Sequence, residues 1–148
     1  MSAHPKHPRA GLVVCCSDGA YVTMTIRAVL TVWGLNSWFR RLRRAWLLLW
    51  NLPAPEDEQL DFIMLPGGAA ADWQLLEEHI RLLFSIHEYP QNRVALVIHN
   101  DCGRVPDRDE RFSLSRQALT NLRRLIPRVH ITHLSVGKTT YQQILDFS

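Results

Sequence analysis

The chain has 148 residues, 47% of them hydrophobic and 21% charged, with a formal net charge of +3. That balance suits one globular domain with a proper core and excludes a disordered chain. The mild charge is no sign of a nucleic-acid partner, and three cysteines are too few, and odd in number, for a disulfide framework.

Residues 1–10, with His4, Pro5, His7 and Pro8, read as a flexible tail that is polar, broken by proline and without the apolar stretch of a signal peptide. The expected setting is cytoplasmic and reducing, where cysteines more often bind metal or do chemistry. Residues 11–148 then read as a single α/β domain. Gly11-Leu12-Val13-Val14 opens a first strand, apolar on both faces as parallel strands are, and it runs into Cys15, Cys16, Ser17 and Asp18. Residues 20–34 are rich in β-branched side chains. Val22, Ile26, Val29, Leu30 and Trp33 nevertheless recur at helical spacing, and a parallel sheet needs a crossover here.

Gly34 and Asn36 punctuate that segment, an Arg/Trp-rich segment at 33–52 follows, and residues 36–50 within it read as a strongly amphipathic helix. Leu35, Trp38, Phe39, Leu42, Trp46 and Leu49 line one stripe, while Arg40, Arg41, Arg43 and Arg44 crowd the other side. The stripe is expected to pack on the sheet or on a second subunit. Contact of 33–50 with a membrane surface or an acidic partner is the lesser alternative. The uncharged run before Arg40 is too short for the ~20 residues of a span, and each arginine at mid-bilayer costs roughly 2.5–3.5 kcal/mol. Pro53 and Pro55 stop the helix, and Glu56-Asp57-Glu58 is an acidic loop.

Asp61 to Leu65 is the second strand, ending in the small-residue turn Pro66-Gly67-Gly68-Ala69-Ala70. Trp73 to His87 is a helix with Leu75, Leu76, His79, Leu82, Leu83 and Ile86 on one face. Val94 to Ile98 is the third strand and leads into His99-Asn100-Asp101-Cys102-Gly103. After a charged loop, Arg104 to Arg111, Ser113 caps a helix that turns Leu114, Ala118, Leu119, Leu122 and Leu125 inward. Val129 to Val136 is a fourth strand, and residues 139–147, from Thr139 to Phe147, suit a short last helix. This alternation predicts an α/β fold with a parallel sheet of about four strands flanked by helices.

Cys16, His99 and Cys102 thereby fall at the C-terminal ends of two strands, the edge where open α/β sheets bind ligands. Two thiols and an imidazole suit zinc better than magnesium or calcium. Three protein ligands with an open fourth position are the catalytic form of a zinc site, whose bound water ionises near pH 7. The plainer reading is two buried thiols and a hydrogen-bonded histidine. Asp18 and Asp101 stand beside these residues, placed to orient a water, fill the open position or accept a ligand's hydrogen bond. Cys15 points to the other face and reads as a buried hydrophobe. His130 and His133, three apart on a strand, face opposite sides and share no metal. Gly137-Lys138-Thr139-Thr140 lacks the upstream glycine of a phosphate loop.

Cys16-Ser17-Asp18 and His99-Asn100-Asp101-Cys102-Gly103 resemble the β-class carbonic anhydrases, which carry Cys-x-Asp-x-Arg after the first strand and His-x-x-Cys-Gly after the third. The similarity covers roughly residues 11–20 and 61–136, and not 33–58. It implies that a zinc ion is held by Cys16, His99 and Cys102, that Asp18 gates or orients the zinc water, and that Asp101 and Gly103 flank the ligands. The activity implied is reversible hydration of carbon dioxide to bicarbonate by zinc-bound hydroxide, in a homodimer or higher homo-oligomer. Carbonyl sulfide or carbon disulfide would be related substrates, and a non-catalytic zinc-binding dimerisation or partner-binding module is the alternative class. Ala20 stands where the family's arginine pairs with the aspartate, which leaves Asp18 freer to bind the metal itself.

Overall fold

Two runs that are apolar at their centres, Gly11–Cys15 and Arg93–His99, lie side by side in the interior of a five-stranded sheet. The computed structural model describes residues 6–35, 37–53 and 58–145; His4, Pro5, Asn36, Pro55, Glu56, Asp57 and Phe147 lie outside the described residues. The elements are β1 (His7–Pro8), β2 (Gly11–Cys15), α1 (Gly19–Val32), α2 (Trp38–Leu49), β3 (Leu60–Met64), a single 3-10 turn (Gly68–Ala70), α3 (Trp73–Ile86), β4 (His87–Glu88), β5 (Arg93–His99), α4 (Arg108–Leu125), β6 (His130–Val136) and β7 (Tyr141–Gln143). The main sheet has the order β3-β2-β5-β6-β7. Its pairs are parallel except β6 with β7. Among the described residues no helix is long and apolar enough to cross a membrane.

Strand alternation splits the core into two layers. Leu12, Val14, Leu96 and Ile98 pack with Leu76 and Ile80 of α3 and Ala118, Leu119 and Leu122 of α4. Val13, Cys15, Ala95 and Val97 face the other way, onto Tyr21, Met24, Ala28 and Val29 of α1. Each fully buried valine or leucine contributes about 1.5–3 kcal/mol, so the central strands carry much of the stability. The buried face of α1 falls on Tyr21, Met24, Thr25, Ala28 and Val29, a helical repeat that outweighs the β-branched content of the segment.

Several expectations are corrected. The four expected parallel strands are present as β3, β2, β5 and β6, but residues 141–143, expected within a short helix, instead add a fifth strand antiparallel to β6. The end of the expected tail is tied down: His7 and Pro8 pair in parallel with His87 and Glu88, and Lys6 Nζ donates to the Phe84 carbonyl. His87 thus belongs to a strand and α3 stops at Ile86. The buried side of α3 is Leu76 and Ile80, while Leu75, Leu82 and Ile86 are exposed. The last helix starts five residues before Ser113, at Arg108, because Asp107 caps it and Asp109 and Glu110 favour its first turn. Finally, α2 buries no residue, so its apolar stripe does not pack on the sheet; Leu35, counted with that stripe, is buried ahead of the helix.

Away from the C-terminal edge lies a polar cluster. The Asp61 carboxylate accepts hydrogen bonds from His87 Nδ1 at 2.6 Å and from the Tyr89 hydroxyl at 2.5 Å, and Arg9 Nε lies 3.4 Å from its other oxygen. Burial first, and then this carboxylate, push the Tyr89 hydroxyl well above the usual phenol range. The cluster ties β1 and β4 to the edge strand β3. Replacing Asp61 by Asn keeps the shape and removes the charge shared by these partners, so Asp61→Asn should cost about 2–3 kcal/mol in urea denaturation. An unchanged midpoint would show that the cluster does not hold the edge.

Candidate metal centre

The site grows out of the strand order. From β2 the chain moves outward to β3, and α3 then carries it back past β2 to β5. The connections leaving β2 and β5 therefore diverge, and the crevice between them is a topological switch point. The parallel register pairs Val14 with Leu96. Continued by two residues, it sets Cys16 level with Ile98, one residue short of His99.

One ligand atom from each of Cys16, His99 and Cys102 lies within 4.8 Å of the others. His99 and Cys102 are buried and Cys16 is partly so. Two details orient His99. Its Nδ1 lies 2.5 Å from the carbonyl oxygen of Asn100, which can only accept, so Nδ1 carries the proton and Nε2 presents a lone pair. The ring also stacks on Tyr21 of α1, with centroids 4.1 Å apart. The Nε2 atom is buried and has no hydrogen-bond partner among the described residues. A buried acceptor of this kind costs about 1–3 kcal/mol unless something binds it. Two thiols and a free imidazole lone pair at one point are the donor set of a soft or borderline divalent cation, so these residues fit the implied metal.

The turn after β3 closes one side. Leu65 N donates to Cys15 O at 3.1 Å and Ser17 N to Leu65 O at 3.3 Å, which continues the β2–β3 ladder past the strand ends. Gly68, at φ +56°, sits so close that a Cβ there would lie 2.7 Å from Val97 O and 2.8 Å from Cys16 N. Only glycine lets this turn lie against both strands.

The other named residues are placed as follows. Asp18 is exposed and caps α1, its Oδ1 accepting from Ala20 N at 3.0 Å. Asp101 is exposed, on left-handed backbone at φ 56°; the oxygen that accepts the hydrogen bond from His99 Nδ1–H belongs to Asn100. Gly103 has open space around its Cβ position. Burial first, and then neighbouring Cys16, push the Cys15 thiol up to about 11, which suits a protonated core side chain. His133 is buried with Nε2 2.9 Å from Ser115 Oγ, and His130 is exposed. Sequence reasoning missed Tyr21 and the Asn100 carbonyl. The aspartate cap was the available signal for the first: with Asp18 as cap, Tyr21 falls in the opening turn of α1, beside the strand ends.

No protein-family model matches this sequence, and no curated protein matches it. Among solved structures, β-carbonic anhydrase isoform I from the protozoan Trichomonas vaginalis superposes with a TM-score of 0.53 at 14% identity, over 99% of this chain and 88% of that one. Likeness at that identity shows the fold: this chain has a distant β-carbonic-anhydrase-like α/β fold.

Two glycines separate constraint from mere proximity. Gly68→Ala should destabilise by about 2 kcal/mol or more, from positive φ and backbone overlap together. Gly103→Ala, beside Cys102 but in open space, should stay within about 0.5 kcal/mol of the parent. Paired thermal melts check this, and equal shifts would contradict the packing described for the turn.

Proposed function

We propose that this chain is a zinc-dependent β-carbonic-anhydrase-like protein that catalyses the reversible hydration of carbon dioxide to bicarbonate. The observation that carries this reading is the convergence of Cys16, His99 and Cys102, with His99 Nε2 buried and unsatisfied, at the switch point of a sheet of this fold. The two cysteine sulfurs and Nε2 would hold the ion. Zinc in a site of this kind supplies Lewis acidity that makes water a usable nucleophile near neutral pH.

The chain's own groups do the positioning. The Asn100 carbonyl keeps the His99 proton on Nδ1, and so keeps Nε2 available as a donor. Tyr21 holds the plane of the ring. Gly68 lets the turn after β3 pack on the Cys16 backbone. Asp18, two residues beyond Cys16, is the group we assign to orienting water or gating the open position.

A second reading is favoured by one observation. The Asp18 carboxylate is exposed and engaged in capping α1, and Ala20 offers it a backbone N–H and no cationic side chain. On that ground the site would be a non-catalytic zinc centre that stabilises a binding module.

Zinc content per chain and stopped-flow carbon dioxide hydration separate the two. The parent should bind one zinc and hydrate carbon dioxide above the uncatalysed rate between about pH 7 and 9. Cys102→Ser should lose both metal and activity. Bound zinc with hydration at the uncatalysed rate would sink the catalytic reading in favour of the module. Running carbonyl sulfide and carbon disulfide beside carbon dioxide tests the related substrates. Ala20→Arg should raise any hydration rate if the lack of a cation beside Asp18 limits it.

A further inference from the structure

Helix α2 is inside out. Its half-buried line is Arg40, Arg44 and Leu47, spaced i, i+4, i+7, which marks the face turned toward the body of the molecule. Arg43 and Arg44 reach Glu58, 3.2 and 3.9 Å away, and that side chain is only 6% exposed. The opposite face carries Trp38, Phe39, Leu42, Trp46 and Leu49, with Trp50 just beyond, all between 49% and 82% exposed. An ordinary amphipathic helix of a globular protein does the reverse.

The apolar face is large. The three tryptophans and Phe39, at roughly 150–250 Å² each when fully exposed, leave on the order of 500 Å² in contact with water before any leucine is counted. The largest patch on a typical monomer is about 300–600 Å² and is often functional.

Charge decides what covers it. Residues 37–53 hold four arginines and no acidic residue. At 100° per residue, Arg41 and Arg43 border the apolar arc on its two sides; both are exposed, and Arg43 also shares its charge with Glu58. A second copy of the chain laid face to face would set these arginines against their own counterparts. A surface of negative charge over an apolar interior complements both features: arginines level with phosphates, indoles and leucines below them. At 12 residues, or about 18 Å, the helix is too short to span.

We propose that α2 is an interfacial anchor that lays this protein on an anionic phospholipid bilayer. The helix connects the end of α1 to the start of β3, at the edge of the sheet opposite Cys16 and His99. Docking there leaves the metal-binding edge facing water, so the inference stands whatever that edge does.

Flotation of the full chain with vesicles tests it. The protein should float with phosphatidylcholine–phosphatidylglycerol vesicles at low salt and stay behind with phosphatidylcholine alone. High salt should weaken binding at least tenfold, and the tryptophan emission should shift to the blue on binding. Trp46→Ser with Leu49→Ser should abolish flotation while leaving the thermal melt and zinc content unchanged, since both side chains are exposed. Arg41→Gln should weaken it by roughly fivefold. Absence of flotation by the parent, or equal flotation with neutral vesicles, would overturn the proposal. So would a dimer in equilibrium sedimentation that fails to float and that Trp46→Ser dissociates, which would assign the stripe to a second copy.

Discussion

The parallel pairing of β2 with β5 is the constraint on which the rest depends. These strands are far apart in sequence and meet only because β3 takes the outer position and α3 returns the chain past β2. Both are buried almost throughout, so the pairing is held by the two core layers and by the ladder together. Its consequence is local. Cys16 and His99 leave the sheet at nearly the same level, and the tight turn from His99 to Cys102, with Asp101 at φ 56°, returns a second thiol to the same point.

The two edges of the sheet treat buried polar groups differently. Away from the strand ends, Asp61, His87, Tyr89 and Arg9 satisfy one another, and Glu58 is met by Arg43 and Arg44. At the C-terminal edge His99 is held by a carbonyl and an aromatic ring, yet its Nε2 has no partner among the described residues. A buried lone pair left unmet beside two thiols has the character of a metal centre. Function in such a centre rests on preorganisation: the Asn100 carbonyl fixes the tautomer, and the glycine turn packs on the backbone at Cys16.

Much of this was legible in the sequence because the signals were periodic or chemical. The strands at Gly11–Cys15 and Arg93–His99, and the Cys-His-Cys set at their ends, stand out from continuous apolar runs followed by polar side chains. What escaped was short or set by tertiary contacts. His7–Pro8 and Tyr141–Gln143 are too brief to show alternation and exist through their pairing partners. The α3 face was misread because leucines surround that helix, and only packing on Leu12 and Leu96 selects Leu76 and Ile80. The amphipathic pattern of α2 was plain, but its direction was not: nothing in the periodicity told that Glu58 would draw the arginine side inward. The Asn100 carbonyl was beyond reach, since a backbone acceptor has no residue-type signature.

The central claim is that two sulfurs and one imidazole nitrogen hold one ion. X-ray absorption at the zinc edge of the purified, zinc-loaded protein tests it most directly. Two sulfur scatterers at about 2.3 Å, with an imidazole nitrogen and one further light atom at about 2.0–2.1 Å, are the expected result. A shell of oxygen and nitrogen alone, or four sulfurs shared between chains, would contradict it.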